Sequence, residues 1–175
     1  MRIAVYSGSF DPLHEGHLAI LRILNGRFDK VLLVVSPQNP FKDSSKALNS
    51  LDRLEAARIA LDACLDLDKV EVCDIEFAMS APHYSCRTLK ALQERYPDAS
   101  LSLAIGADNL ACFDKWKNYS EILLSYGVIA FPRIGFDLEA DRQRLLAENP
   151  AYKIELAHMP LVNISSTELR NKSRN

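Results

Sequence analysis

Apolar and polar positions alternate between two rhythms along this chain. Short apolar runs at Ile3–Tyr6, Lys30–Ser36, Ser100–Ile105 and Tyr126–Phe131 have the look of strands covered on both faces. Lys69–Asp74 interleaves Val70 and Val72 with charges, and Tyr152–Ala157 completes six predicted strands. Between them apolar residues recur at helical spacing. Leu18, Leu21 and Leu24 form one stripe, with Gly26 as its predicted stop. Leu51, Leu54, Ala57, Leu61 and Leu65 form a second, with Ser50 as its predicted cap. Leu89, Leu92 and Tyr96 mark a helix ending before Pro97. One or two short helices are expected around Trp116 between Leu110 and Tyr126, and another helix over Asp137–Glu148. Ile75–Tyr84, with Pro82 inside it, reads as irregular, and Pro37–Lys42 and Pro132–Gly135 as breaks.

Strand and helix alternate throughout. That order predicts an α/β fold, a parallel doubly wound sheet with one continuous core, and a single domain over residues 1–175. Such sheets bind ligands beyond the carboxyl ends of their strands, where the strand order reverses. The unusual residues of this chain lie in the predicted loops after the first, second and fourth strands.

Composition narrows the chemistry. A net charge of −2 leaves no global basic field, so nucleic acid is not an expected partner and any phosphate site must be local. No apolar run is long enough to cross a membrane, and the opening Met-Arg-Ile-Ala-Val reads as a strand rather than a leader. The four cysteines, Cys64, Cys73, Cys86 and Cys112, lack Cys-x-x-Cys spacing. They are expected to be reduced, mostly buried thiols of a cytoplasmic protein.

The richest stretch is Ser7-Gly-Ser-Phe-Asp-Pro-Leu-His-Glu-Gly-His17. A strand enters it, a turn of small residues follows, and a helix leaves it. That arrangement turns backbone N–H groups toward an anion. His14 and His17, at i and i+3 of the first turn, point to the same side. Gly8 permits close approach of a backbone or ligand, and the glycine between the histidines leaves the helix backbone uncovered by a Cβ. Near the other end, Ser165 and Glu168 form a Ser-x-x-Glu capping box. The helix it starts would carry hydroxyls from Ser165, Ser166 and Thr167, with Arg170 in its first turns, a second phosphate-binding arrangement.

His-x-Gly-His after an N-terminal strand, together with Ile-Ser-Ser-Thr-x-Leu-Arg near the C-terminus, resembles the nicotinate-nucleotide adenylyltransferases of the nucleotidyltransferase superfamily. Pro37–Lys42, Pro82-His-Tyr-Ser-x-x-Thr-Leu89 and Ile105-Gly-Ala-Asp108 followed by Trp116 resemble further segments of that family in the same order. The resemblance implies a Rossmann-like, three-layer α/β/α fold. It also implies an enzyme of NAD biosynthesis that joins ATP and nicotinate mononucleotide into nicotinate adenine dinucleotide and pyrophosphate. Mg²⁺ would arrive bound with ATP, and the sequence assigns it no protein ligand. His14, His17 and Arg170 would be catalytic. Gly8, Ser9, Phe10, Asp108, Ser165 and Ser166 would bind ATP, and Lys42, Tyr84, Ser85 and Trp116 the mononucleotide. Arg133 is a further phosphate candidate. Arg87 stands where the family has an acidic residue and reads as outward and solvated. The alternatives are an adenylyltransferase for nicotinamide mononucleotide, one of dual specificity, or one for phosphopantetheine. Neither a nucleic acid nor a membrane is implied as partner, and a homo-oligomer is compatible with the sequence.

Overall fold

The structure, a computed structural model, describes residues 1–37 and 49–159. Six strands appear in chain order: β1 (Arg2–Gly8), β2 (Lys30–Val35), β3 (Val70–Cys73), β4 (Ser100–Gly106), β5 (Val128–Phe131) and β6 (Ile154–Leu156). Helix α1 (Glu15–Arg27) follows β1, α2 (Ser50–Asp62) precedes β3, and α3 (Ser85–Arg95) precedes β4. After β4 come α4 (Ala107–Ala111) and α5 (Tyr119–Glu121), the latter widening into a π turn over Ile122–Tyr126, and α6 (Leu138–Glu148) links β5 to β6. Short 3-10 turns occupy Ile75–Ala78 and Phe113–Lys115.

The strands lie in the order β3-β2-β1-β4-β5-β6, and every pair is parallel. Val5 faces Leu32 on one side and Leu103 on the other, so β1 sits at the centre. Successive side chains of a strand point to opposite faces. Ile3 and Val5 accordingly join one core with Leu32, Val34 and Leu103, while Ala4 and Tyr6 join another with Val31, Leu33 and Val35. Leu21 and Leu24 of α1 and Leu54 and Ala57 of α2 close the second core, whereas Leu89 and Leu92 of α3, Leu110 of α4 and Leu145 of α6 close the first. This is the expected three-layer, doubly wound fold. Each fully buried Leu or Ile side chain contributes about 1.5–3 kcal/mol, so both faces must be covered for the sheet to hold.

Several boundaries differ from expectation. Gly26 lies inside α1 rather than ending it. The helix stops at Phe28, whose backbone turns extended while its ring is buried and its N–H returns to the Leu24 carbonyl. Asn49, not Ser50, caps α2, its side chain accepting from the Leu51 N–H at 3.2 Å. Leu51 and Leu65 of the predicted stripe are exposed, and Arg53 is buried in their stead. Cys73 and Cys86 are buried, Cys64 and Cys112 half-buried, and all four are free thiols. Among the described residues no helix is long and apolar enough to cross a membrane.

With the strands parallel, the carboxyl ends of β1, β2, β4 and β5 open on one edge. The order reverses between β1 and β4, and a crevice is expected there.

Candidate active site

The turn after β1 is shaped by Phe10. Its φ of 43° is left-handed, a conformation that costs a non-glycine residue about 1–3 kcal/mol and persists only where the surroundings enforce it. The ring supplies the enforcement. It is buried and meets Tyr6 edge-on at 5.3 Å and His17 edge-on at 5.1 Å between centroids. A Cβ on Gly8 would stand 3.1 Å from the tip of that ring. The close approach expected at Gly8 is therefore made by the chain's own Phe10.

His14 is the N-cap of α1, with extended backbone, and His17 is its third residue. The His17 N–H donates to the His14 carbonyl at 2.8 Å, and the His14 N–H donates to His17 Nδ1 at 3.3 Å. The two rings stack, with centroids 3.7 Å apart and planes 22° from parallel. Because Nδ1 of His17 is an acceptor, its neutral ring carries the proton on Nε2, a donor. Burial, and then the positive charge of Arg133, hold His14 below the ordinary histidine pKa, against a smaller backbone hydrogen-bond effect that raises it.

Arg133, just past β5, and Asp108, just past β4, meet at the same edge. Arg133 Nε lies 3.1 Å from Asp108 Oδ1, both side chains remaining over a third exposed. The pair is an ion contact without hydrogen-bond alignment, since Oδ1 accepts no hydrogen bond among the described residues. Gly106 makes the contact possible: a Cβ there would fall 2.4 Å from that oxygen and 2.8 Å from the Arg133 Nε. Beneath them Tyr6 is buried, and desolvation pushes its phenol above its ordinary pKa, with Arg133 opposing and Asp108 assisting. Tyr6, Phe10, His14, His17, Asp108 and Arg133 thus form one cluster at the switch point.

Arg53 of α2 escaped the sequence reading. It is 5% exposed. Nη1 donates to the Ser9 carbonyl at 2.6 Å and to the Ser36 carbonyl at 2.9 Å, and Nη2 donates to the Pro37 carbonyl at 3.0 Å. Burial pulls its pKa below the ordinary value and the buried Asp11 opposes that shift. Its spacing, beside Leu54 and four residues before Ala57 on the apolar side of α2, is the signal that could have found it.

The residues expected to hold a mononucleotide lie elsewhere on the edge. Tyr84, exposed, is the N-cap of α3, and Ser85 is its first residue. The N–H groups of Ser85 and Cys86 meet no acceptor among the described residues, as in the first turn of any helix. Trp116 is half-buried, stacked on Phe113 with centroids 4.8 Å apart. No hydrogen bond, ion pair or ring contact among the described residues joins Tyr84, Ser85 or Trp116 to the histidine cluster. Arg87 is not the solvated side chain expected. Nη1 donates to the carbonyls of Ser80 and Pro82 at 2.9 and 2.8 Å and Nη2 to Ser80 Oγ at 3.1 Å, so it clamps the loop entering α3. A second unforeseen group is Glu76, 2% exposed, whose Oε1 accepts from Thr88 Oγ1 at 2.7 Å. Lys42, Ser165, Ser166 and Arg170, with the capping box at Ser165 and Glu168, lie outside the described residues.

Comparison with known proteins gives this edge a lineage. The cytidylyltransferase-like family model matches residues 5–172. A protein of Flavobacterium psychrophilum named "Probable nicotinate-nucleotide adenylyltransferase" is 37% identical over 177 residues, covering 100% of this chain and 88% of that one. A Flavobacterium johnsoniae protein of the same name is 37% identical over 173 residues, covering 98% and 86%. The Plasmodium falciparum nicotinic acid mononucleotide adenylyltransferase complexed with NaAD shares the fold, with a TM-score of 0.82 at 21% identity over 97% of this chain and 82% of that one. Matched along nearly its whole length, the chain belongs to the cytidylyltransferase-like family and, within it, to the nicotinate-nucleotide adenylyltransferases.

Proposed function

We propose that the chain transfers the adenylyl group of ATP to nicotinate mononucleotide. An oxygen of the mononucleotide phosphate attacks the α-phosphorus, a new O–P bond forms, the bond to the β-phosphate oxygen breaks, and pyrophosphate leaves with its electron pair. The acceptor phosphate is already anionic near neutral pH, so no general base is needed. What remains is to hold two polyanions in line and to stabilise the charge spreading over the α-phosphate and the leaving oxygen. The observation that carries this reading is the stacked His14–His17 pair at the start of α1, on the strand edge where the sheet order reverses.

Position on the strand edge and family resemblance support the following roles. His17 Nε2–H donates to a phosphate oxygen, and His14, uncharged before ATP arrives, adds a second donor. Backbone N–H groups of the Gly8–Phe10 turn line the nucleotide, Asp108 holds its adenosine side, and Arg133 adds positive charge. Tyr84, Ser85 and Trp116 receive the nicotinate ring. By family resemblance, Lys42 reaches phosphate, and Ser165, Ser166 and Arg170 bind the ATP phosphates. Among the described residues no three His, Cys, Asp or Glu side chains cluster to hold a metal. Mg²⁺ carried by the ATP phosphates would supply charge neutralisation there.

The test is pyrophosphate release with Mg-ATP and each mononucleotide in turn. Release with the acid form at a kcat/KM above that with the amide is the expected result. Equal or reversed preference moves the chain to the dual-specificity or nicotinamide reading, and no release with either refutes adenylyl transfer to pyridine mononucleotides.

A further inference from the structure

Arg53 belongs to a helix whose other buried residues, Leu54, Ala57 and Leu61, are apolar. A guanidinium so deeply placed is costly unless its donors are used. Here they converge on carbonyls from two loops, Ser9 after β1 and Ser36 and Pro37 after β2. The loops already touch through the Ser36 N–H and the Gly8 carbonyl, at 2.9 Å. The shortest of the three bonds, 2.6 Å, is to Ser9. Ser9 precedes Phe10, whose left-handed φ sets the direction of the whole turn.

A trans peptide points its C=O and its N–H in opposite directions. The Ser9–Phe10 bond is not among the cis bonds of the chain. With the Ser9 oxygen drawn inward to buried Arg53, the Phe10 N–H faces outward, and it donates to nothing among the described residues. A carbonyl bonded to a cation also polarises its own peptide, which strengthens that N–H as a donor. Lysine would not serve equally, because one ammonium lacks the planar fork that reaches three carbonyls at once.

We infer that Arg53 is a positioning residue for the nucleotide: through the Ser9 carbonyl it fixes the Ser9–Phe10 peptide with the Phe10 N–H presented to the phosphates of ATP. This rests on the reading above that ATP lies against the turn after β1. In this role Arg53 reaches the nucleotide through the Ser9 carbonyl rather than by direct contact.

The experiment uses the full chain with 15N-labelled phenylalanine, in wild type, Arg53→Lys and Arg53→Ala. The probe is Mg²⁺ with an ATP analogue bearing a methylene between the α and β phosphorus atoms. In wild type the Phe10 amide resonance should shift on saturation. In Arg53→Lys that shift should be lost, while the remaining Phe amides keep their native positions and so report an intact fold. Its kcat/KM for ATP should fall about a hundredfold, the scale of a small misplacement of a reacting group. KM for nicotinate mononucleotide should stay unchanged. Millimolar guanidinium should restore part of the loss in Arg53→Ala and none in His17→Ala, which separates refilling of the buried site from general salt effects. A native Phe10 response with wild-type kcat/KM in Arg53→Lys overturns the inference and leaves the reading of the site intact. A wild-type Phe10 amide indifferent to the analogue overturns both.

Discussion

His17 Nδ1 accepts the backbone N–H of His14, while the two imidazoles lie face to face with centroids 3.7 Å apart. One side of His17 thus starts the helix, and the proposed reaction assigns the phosphate contact to the other. His17→Ala removes both. We expect kcat to fall by about 10²–10³, the usual cost of an oriented donor to developing phosphate charge. Stability should fall by about 1 kcal/mol through the lost cap. His17→Asn, whose amide oxygen can mimic Nδ1, should recover the stability without the rate. Melting curves beside steady-state kinetics separate the two, and an Asn variant that regained turnover would put the chemistry at Nδ1 instead.

His14 gives a pH signature. Burial and the charge of Arg133 both disfavour its imidazolium, so in the free enzyme it titrates below the ordinary 6.5. ATP brings negative charge and pulls that value up. Protons should be taken up on ATP binding near pH 6, measurable by calorimetry in buffers of different ionisation heat and absent in His14→Gln. The same depressed pKa acts on folding. Above the unfolded value both states are neutral and stability from this group is whole. As pH falls through the unfolded and toward the folded value, the unfolded chain binds the proton first and stability is lost. A wild-type chain no more acid-sensitive in urea than His14→Gln would contradict that.

Gly106→Ala tests the Asp108–Arg133 contact. The backbone at Gly106 is ordinary, so the fold should survive, but the new methyl occupies the place of Asp108 Oδ1 and crowds Arg133. We expect KM for ATP to rise about tenfold, the value of one charge-assisted hydrogen bond, with KM for the mononucleotide little changed. An unaltered KM for ATP would show that Asp108 does not touch it.

Ser85→Pro addresses acid against amide. Proline is accepted at the first helical position, where it deletes a backbone N–H and little else, and Tyr84 already has the extended backbone that must precede it. If the Ser85 N–H grips the nicotinate carboxylate, kcat/KM for the acid should drop about ten- to a hundredfold and the amide should lose less. A loss equal for both acceptors would place selection elsewhere on the edge.

The histidine pair was legible in the sequence because its geometry is local. Three residues of helix place both rings, whatever the rest of the chain does. The sheet was legible too, since alternating runs of strand and helix admit few other arrangements. Arg53 was not, because its partners Ser9, Ser36 and Pro37 are brought to it only when β1 and β2 align. The contact of Arg133 with Asp108 likewise needs β4 and β5 side by side. Arg87 was misjudged for a related reason: in a list of letters a charged residue on a helix looks solvated, while here the preceding loop folds back onto it. Asn49 displaced Ser50 as a cap because the two differ by one position and either side chain can do the work.

The ring of Phe10 touches the site of a missing Cβ at Gly8, the phenol of Tyr6 and the imidazole of His17 all at once. These four positions therefore have no independent substitutional freedom. A methyl at Gly8 becomes tolerable only when position 10 gives up bulk, and a smaller side chain at 10 leaves both Tyr6 and His17 without a wall. In a library randomised over the four, survivors should carry compensating pairs rather than single changes, and the route from one working combination to another should pass through inactive intermediates.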